Sequence, residues 1–135
     1  MSVEENKAIL KRIMDELWNK RDISLIPDLI TSNYIYANDR GHEGYREVVR
    51  RNISAFPDYH YKLEEVIGEG DRLAGRLTIS GTMKGKWRGF EPTGRYMSYT
   101  LAVFWRFENG KLAESVGYAD NLPVYRQLGI PIPAV

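Results

Sequence analysis

Two long runs of alternating apolar residues meet at Asn109-Gly110, near the end of the 135-residue chain. Asn-Gly is the pair that a two-residue β-hairpin turn prefers, because both central positions need a positive φ. Alternation with a period of two is typical of strands that bury one face. The sequence therefore predicts a hairpin of strands at 95–107 and 112–120, whose apolar face must be covered by other parts of the chain.

A two-residue turn fixes which residues of the hairpin lie opposite each other, provided that both strands run without interruption. Phe107 is then opposite Leu112, and the next predicted pairs are Trp105–Glu114, Val103–Val116, Leu101–Tyr118 and Tyr99–Asp120. Because side chains alternate, all these residues are predicted to share one face. That face carries two carboxylates, Glu114 and Asp120.

Asp120 allows two interpretations. A carboxylate in an apolar environment has a raised pKa and suits general acid/base chemistry, and Tyr99 is predicted close enough to hydrogen-bond it. Alternatively, Asp120 ends the strand and caps the turn before Pro123. The pattern leaves both open. Glu114 is about 20 Å along the strand from Asp120, too far for paired carboxylates, and we expect it to have a structural role.

Helical periodicity dominates the first part of the chain. Ser2 and Glu5 form a capping box, and apolar residues then recur at helical spacing to Trp18. Further helices are predicted at 24–30, 44–56 and 123–128, and further strands at 34–36, 59–67 and 73–82. Helices followed by an antiparallel meander indicate an α+β fold. The length predicts a single domain covering residues 1–135.

Composition excludes several classes of function. Nineteen Lys and Arg against 18 Asp and Glu leave a net charge of +1, which predicts no nucleic-acid partner and no membrane surface. There is no Cys, and His42 and His60 lack metal-binding spacing, so we expect no metal and no organic cofactor. The charged N-terminus resembles no signal peptide, which favours a cytoplasmic location.

Two loops are further candidates. His42 lies in the Gly-flanked stretch Gly41-His42-Glu43-Gly44 and is either at a pocket mouth or on the surface. Trp87 stands between Lys86 and Arg88 in the Gly-rich connection 84–94. One aromatic residue between two cations is too little for nucleic-acid stacking, and a flap over a pocket is the favoured interpretation.

Several short stretches occur in an order that is typical of one family. They are Glu5-Asn6-Lys7, Leu17-Trp18-Asn19-Lys20-Arg21-Asp22, His42-Glu43-Gly44-Tyr45-Arg46, Ala55-Phe56-Pro57-Asp58-Tyr59, Glu69-Gly70-Asp71-Arg72, Gly81-Thr82, Gly89-Phe90-Glu91-Pro92-Thr93-Gly94-Arg95, Phe107-Glu108-Asn109-Gly110-Lys111, and Asp120 with Gln127-Leu128-Gly129. In these the chain resembles the SnoaL-like polyketide cyclases, within the superfamily named after nuclear transport factor 2.

This resemblance implies both a fold and an activity. The implied fold is a curved antiparallel or mixed sheet wrapped around N-terminal helices, forming a cone-shaped barrel with an internal pocket. In the family, the Asp matching Asp120 is the acid/base of an intramolecular aldol ring closure. The resemblance also implies a homodimer, a small hydrophobic ligand, and neither metal nor organic cofactor.

The chain departs from the family where members often carry Asp-His, since it has Tyr34-Ile35-Tyr36-Ala37-Asn38 there. Two hypotheses follow. In the first, the chain is a cofactor-independent cyclase, isomerase or lyase, with Asp120 as acid/base and Tyr99 or Tyr118 assisting it. In the second, it is a non-catalytic ligand-binding or dimerisation domain. The residues expected to contact the ligand are Tyr118, Tyr36, Asn38, Trp105, Leu101 and Trp18.

Overall fold

Six strands form one curved sheet in the computed structural model, which describes residues 1–133. They are β1 (Ile30–Tyr36), β2 (Asp39–Arg40), β3 (His60–Glu69), β4 (Arg72–Thr82), β5 (Tyr96–Glu108) and β6 (Lys111–Ala119). Their order across the sheet is β2–β1–β6–β5–β4–β3. All neighbours are antiparallel except β1 and β6, which run parallel. The predicted α+β class with a mixed sheet is confirmed, although the strands do not close into a barrel.

The helices are α1 (Val3–Arg12), α2 (Ile26–Leu29), α3 (Gly41–Ala55) and α4 (Leu122–Leu128), and a π-helical segment (Ile13–Asn19) continues α1. The predicted capping box is present at the start of α1. The Glu5 amide donates to Ser2 Oγ at 3.0 Å, and the Ser2 amide donates to Glu5 Oε1 at 3.0 Å. Two orphan amide groups are thereby satisfied, which stabilises the first turn.

Helices and sheet bury a common core. Leu10, Ile13 and Leu17 of the first helical stretch are fully buried and belong to one cluster with Trp105 and Phe107 of β5. Their spacing of three and four residues gives the helix one apolar face, which covers the inner face of the sheet. Within residues 1–133, no helix combines the length and hydrophobicity needed to cross a membrane.

The chain enters the sheet earlier than the sequence indicates. Ile30 was predicted to end a helix, but it begins β1 and pairs with Leu112 of β6. Buried Ile30 satisfies either pattern, because a short apolar run is compatible with a buried strand as well as with a helix. The long-range pairing with β6 decides between them.

A β-bulge interrupts the final hairpin. The turn forms as predicted, with φ of 49° at Asn109 and 77° at Gly110, and Phe107 lies opposite Leu112. The register then shifts, so that Arg106 is opposite Glu114 and Ala113 is the extra residue. The pairs predicted beyond this point are wrong. The observed ones are Trp105–Ser115, Val103–Gly117 and Leu101–Ala119.

The bulge exchanges the two faces of β6. A shift of one residue turns every later side chain to the opposite side of the sheet. Val116 and Tyr118, predicted to face the core, are therefore exposed, and Tyr118 is 65% exposed and packs edge-on against Phe104. Glu114 instead forms an ion pair with Arg106 at 3.3 Å.

Candidate functional site

A cavity of about 160 Å³ lies between the inner face of the sheet and the helices. Aromatic side chains dominate its wall, namely Trp18, Trp87, Trp105, Phe56, Tyr34, Tyr36, Tyr45, Tyr59, Tyr61 and Tyr99. Aromatic rings offer flat apolar surfaces, and each tyrosine adds a hydroxyl group at the tip of its ring. Such a wall suits a flat, largely hydrophobic ligand that carries oxygen atoms.

The alternation of side chains along a strand explains how the sheet contributes to the cavity wall. Successive side chains of a strand point to opposite faces, so every second residue of β5 faces the helices. The five residues of β5 that line the cavity follow this rule and are Met97, Tyr99, Leu101, Val103 and Trp105. On the opposite side, the π-helical segment supplies Met14 and Trp18, and α3 supplies Tyr45 and Asn52.

Strand β6 contributes small residues to the cavity. Beyond the bulge, its inward positions are Ser115 and Gly117, which both line the cavity. The uninterrupted register would have placed Val116 and Tyr118 on this face. The bulge thus leaves empty volume where two larger side chains would otherwise pack.

Hydrogen bonds hold several of the aromatic rings in place. Trp18 Nε1 donates to the Tyr45 hydroxyl at 2.8 Å, and the Tyr34 hydroxyl donates to Ser115 Oγ at 3.0 Å. The hydroxyls of Tyr59 and Tyr61 are 3.4 Å apart. Burial raises the pKa of all four tyrosines, so their hydroxyl groups remain protonated.

Tyr99 differs from these tyrosines because its hydroxyl has no hydrogen-bond partner within residues 1–133. Burial raises the pKa of Tyr99 to about 12; the nearby Tyr36 acts in the same direction, and the charge of Arg88 opposes it. The group is therefore neutral at physiological pH. It is able to donate a hydrogen bond to an oxygen atom of a ligand in the cavity.

The other polar groups of the wall are few. Asn52 donates from Nδ2 to the Val48 carbonyl at 2.9 Å, and Arg88 brings a positive charge. Among the residues that the structure describes, no Asp, Glu or His lines the cavity. The described part of the chain also has no cluster of three such residues placed to hold a metal ion.

Asp120 lies outside the cavity. It follows β6 and is exposed, and its Oδ1 accepts a hydrogen bond from the Leu122 amide at 3.2 Å, at the start of α4. This contact is the one expected if Asp120 caps the turn before Pro123. The predicted Tyr99–Asp120 pair is wrong, because β6 ends at Ala119, opposite Leu101. In the observed register, Asp120 is thus shifted by one strand position from the place opposite Tyr99 that the uninterrupted register predicts.

Residues 8–128 match the family model described as SnoaL-like polyketide cyclase. The chain belongs to this family. No curated protein matches it significantly.

Solved structures of several other proteins have the same fold. TsrD from Streptomyces laurentii is 27% identical over 97% of this chain and 99% of its own, with a TM-score of 0.88. AclR from Streptomyces galilaeus, named as a candidate hydroxylase, is 28% identical over 99% of this chain and 86% of its own, with a TM-score of 0.81. A SnoaL-like polyketide cyclase from Agrobacterium tumefaciens is 24% identical over 92% of this chain and 98% of its own, with a TM-score of 0.82. At this identity the similarity supports the fold alone.

The structure brings together most, though not all, of the predicted ligand contacts of this SnoaL-like chain. Five of the predicted residues line the cavity, namely Tyr99, Tyr36, Trp105, Leu101 and Trp18. Three do not. The bulge turns Tyr118 outward, Asp120 is exposed beyond the end of β6, and Asn38 is exposed in the turn between β1 and β2. The roles of all eight in binding or catalysis stay predictions.

Sequence reasoning missed several residues of the cavity. Tyr59, directly before β3, and Tyr61, its second residue, are two positions apart, which is a signal for a shared face, and both line the cavity. Arg88 gave no signal beyond its place in the predicted flap. His42, considered for the pocket mouth, does not line the cavity, and its Nε2 hydrogen-bonds the Ile30 carbonyl at 2.9 Å.

Proposed function

We propose that this SnoaL-like chain binds a small, flat, hydrophobic carbonyl compound in the aromatic cavity and rearranges it without a cofactor, as an aldol-type cyclase, isomerase or lyase. The observation that carries the proposal is the protonated hydroxyl of Tyr99, which has no hydrogen-bond partner among the described residues and lies inside an aromatic wall. A donor fixed in a poorly solvated site stabilises the negative charge that develops on a carbonyl oxygen when its α-proton leaves.

The proton acceptor is the second requirement of this reaction. In the family that role belongs to the residue matching Asp120, which here is exposed and bonded to the Leu122 amide. Its part in this chain stays a prediction. A second candidate function, ligand binding without chemistry, is supported by the cavity wall, which contains no carboxylate or histidine among the described residues.

Exchange of α-protons for deuterium distinguishes the two functions without the natural substrate. Methyl β-naphthyl ketone is a flat aromatic ketone with exchangeable α-protons, and NMR in D₂O follows the loss of its methyl signal. We expect the wild-type chain to accelerate exchange over buffer, and Tyr99→Phe to reduce that acceleration by about 100-fold, the usual effect of removing one oxyanion donor.

Two further variants complete this experiment. Tyr96→Phe removes the hydroxyl of an exposed tyrosine at the start of β5 and is expected to leave the rate unchanged. Asp120→Asn is expected to reduce exchange if Asp120 is the base. If the ketone binds but wild-type protein does not accelerate exchange, the enzymatic proposal is wrong and the binding function stands.

We also propose that two copies associate through the outer face of the sheet. Ile67, Phe104, Val116 and Tyr118 are exposed there, and the register places Ile67, Phe104 and Val116 in one line across the strands. Exposed apolar side chains grouped in this way are typical of protein interfaces. Sedimentation velocity is expected to show a dimer, which Tyr118→Lys dissociates. A monomeric wild-type chain would contradict this proposal.

A further inference from the structure

The connection between β4 and β5 forms a small hairpin whose tip is Arg88-Gly89. The Trp87 amide donates to the Phe90 carbonyl at 3.1 Å, and the Phe90 amide donates back to the Trp87 carbonyl at 2.9 Å. Both tip residues have a positive φ, 49° at Arg88 and 83° at Gly89, as in a type I′ turn. The geometry holds the backbone of Arg88 in a defined position.

An arginine is an unfavourable choice at this point of the turn. The turn of the last hairpin uses Asn109-Gly110 at the same positions, and asparagine adopts a positive φ more readily than other residues with side chains. Local backbone energetics do not explain why position 88 carries a long cationic side chain. Unfavourable backbone conformations of this kind occur preferentially at functional sites.

Aromatic rings hold the guanidinium group of Arg88. The group lies 4.4 Å from the centre of the Trp87 ring and 5.9 Å from that of Tyr125, and Nη1 donates to the Tyr125 hydroxyl at 2.9 Å. Within the described residues, Arg88 forms no ion pair, and the nearby Glu91 pairs with Lys86 at 3.4 Å. Most N–H groups of the guanidinium therefore remain available to a ligand.

Arg88 also belongs to the cavity. It lines the same wall as Tyr99, and its positive charge acts on the Tyr99 hydroxyl. It is the one Arg or Lys among the described residues that line the cavity, and no carboxylate there neutralises it. An uncompensated cation beside an aromatic wall favours a ligand of opposite charge.

We propose that Arg88 binds an anionic oxygen of the ligand and makes the cavity selective for flat hydrophobic anions over neutral compounds of the same shape. This inference rests on the proposed ligand-binding function of the cavity and specifies the charge of the compound. The guanidinium fork donates two parallel hydrogen bonds to the two oxygen atoms of a carboxylate, whereas a ketone offers a single, uncharged oxygen atom. The Tyr99 hydroxyl is the second donor available to the same end of the ligand.

Two probes of matched shape test this selectivity. Methyl β-naphthyl ketone carries a methyl group where β-naphthoate carries its anionic oxygen, and the two compounds are otherwise identical. Quenching of tryptophan fluorescence reports the binding of each. We expect wild-type protein to bind naphthoate at least tenfold more tightly than the ketone, since a charge-assisted hydrogen bond commonly gives a factor of this order.

Three variants assign the selectivity to Arg88. Arg88→Asn suits the turn better than arginine does, so it keeps the hairpin, and it is expected to lower naphthoate affinity about tenfold while ketone affinity stays within about twofold. Arg88→Lys retains the charge without the fork, and its naphthoate affinity is expected to lie between those of the wild type and Arg88→Asn. Arg126→Gln removes one exposed charge of α4 outside the cavity and is expected to change neither affinity.

Each contrary outcome has a separate meaning. Equal affinity of the wild-type chain for both probes, or an equal loss of both in Arg88→Asn, overturns the role of Arg88 but leaves the cavity as a ligand site. If Arg126→Gln lowers naphthoate affinity as much as Arg88→Asn does, the effect is one of overall charge, and the proposed role of Arg88 is also overturned. If neither probe binds, the proposed function itself fails, and this inference fails with it.

Discussion

Deletion of Ala113 is expected to destabilise the protein by about 3 kcal/mol or more and to weaken ligand binding in the cavity, because it removes the bulge that bends β6. Ala113 is the extra, fully buried residue of the bulge between the pairs Phe107–Leu112 and Arg106–Glu114. Without it, Leu112 and Glu114 become neighbours and the observed pairs on both sides of the bulge remain, but β6 loses the local bend and twist that the extra residue gives it. Ser115 and Gly117 still face inward, but straightening of the strand displaces Ser115 from the Tyr34 hydroxyl, whose hydrogen bond it accepts.

The deletion variant has a matched control. Ala113→Gly keeps the number of residues and therefore the bulge, and it is expected to cost only about 1 kcal/mol, from one lost methyl group and a more flexible backbone. Urea unfolding of both variants measures the difference in the free energy of unfolding, and titration with methyl β-naphthyl ketone reports on the cavity. Equal stability and equal binding of the two variants would show that the bulge contributes neither to the stability of the sheet nor to the shape of the cavity.

Gly85→Ala is expected to destabilise the protein by about 2–4 kcal/mol and to displace the hairpin that carries Trp87 and Arg88. A Cβ atom at position 85 would lie 2.2 Å from the carbonyl oxygen of Ser54 and 3.3 Å from the Cα of Ala55. These are backbone atoms at the end of α3, so they cannot move aside as a flexible side chain can. The amides of Lys84 and Gly85 also donate to the Ala55 carbonyl, at 2.9 and 3.0 Å.

Gly117→Ala is the control for this substitution. Its Cβ would meet only ordinary contacts, the nearest being the Leu101 side chain at 3.6 Å, and Gly117 does not require a positive φ. We expect its free energy of unfolding to stay within about 0.5 kcal/mol of the wild type. Thermal and urea unfolding compare the two variants, and tryptophan fluorescence follows Trp87. The predicted clash is refuted if both variants are equally stable.

Local signals in the sequence were sufficient for the turns and for most elements. Asn109-Gly110 makes the hairpin, and Ser2 and Glu5 cap α1, because each depends only on residues close in sequence. The strand β1 was predicted too short, and β2 was not predicted. Both depend on pairing with distant residues, which periodicity within a short window does not detect.

The candidate site was harder to predict, since one residue of register decides it. The sequence Leu112, Glu114, Val116 and Tyr118 alternates so regularly that an uninterrupted apolar strand is the natural interpretation. In the folded protein, the inner face instead receives Ser115 and Gly117. An empty cavity needs small residues on its wall, and a pattern search that rewards large apolar residues on the inner face selects against them.

The parallel pairing of β1 with β6 also affects the order in which the protein assembles. It joins Ile30, in the first quarter of the chain, to Leu112, in the last. A ribosome releases the first helices and β1 long before β6 exists, so these elements lack their partner strand until β6 has been synthesised. Leu112, Ser115 and Gly117 of β6 and Val124 of α4 all belong to the cavity wall, so the wall is completed only when β6 and α4 dock.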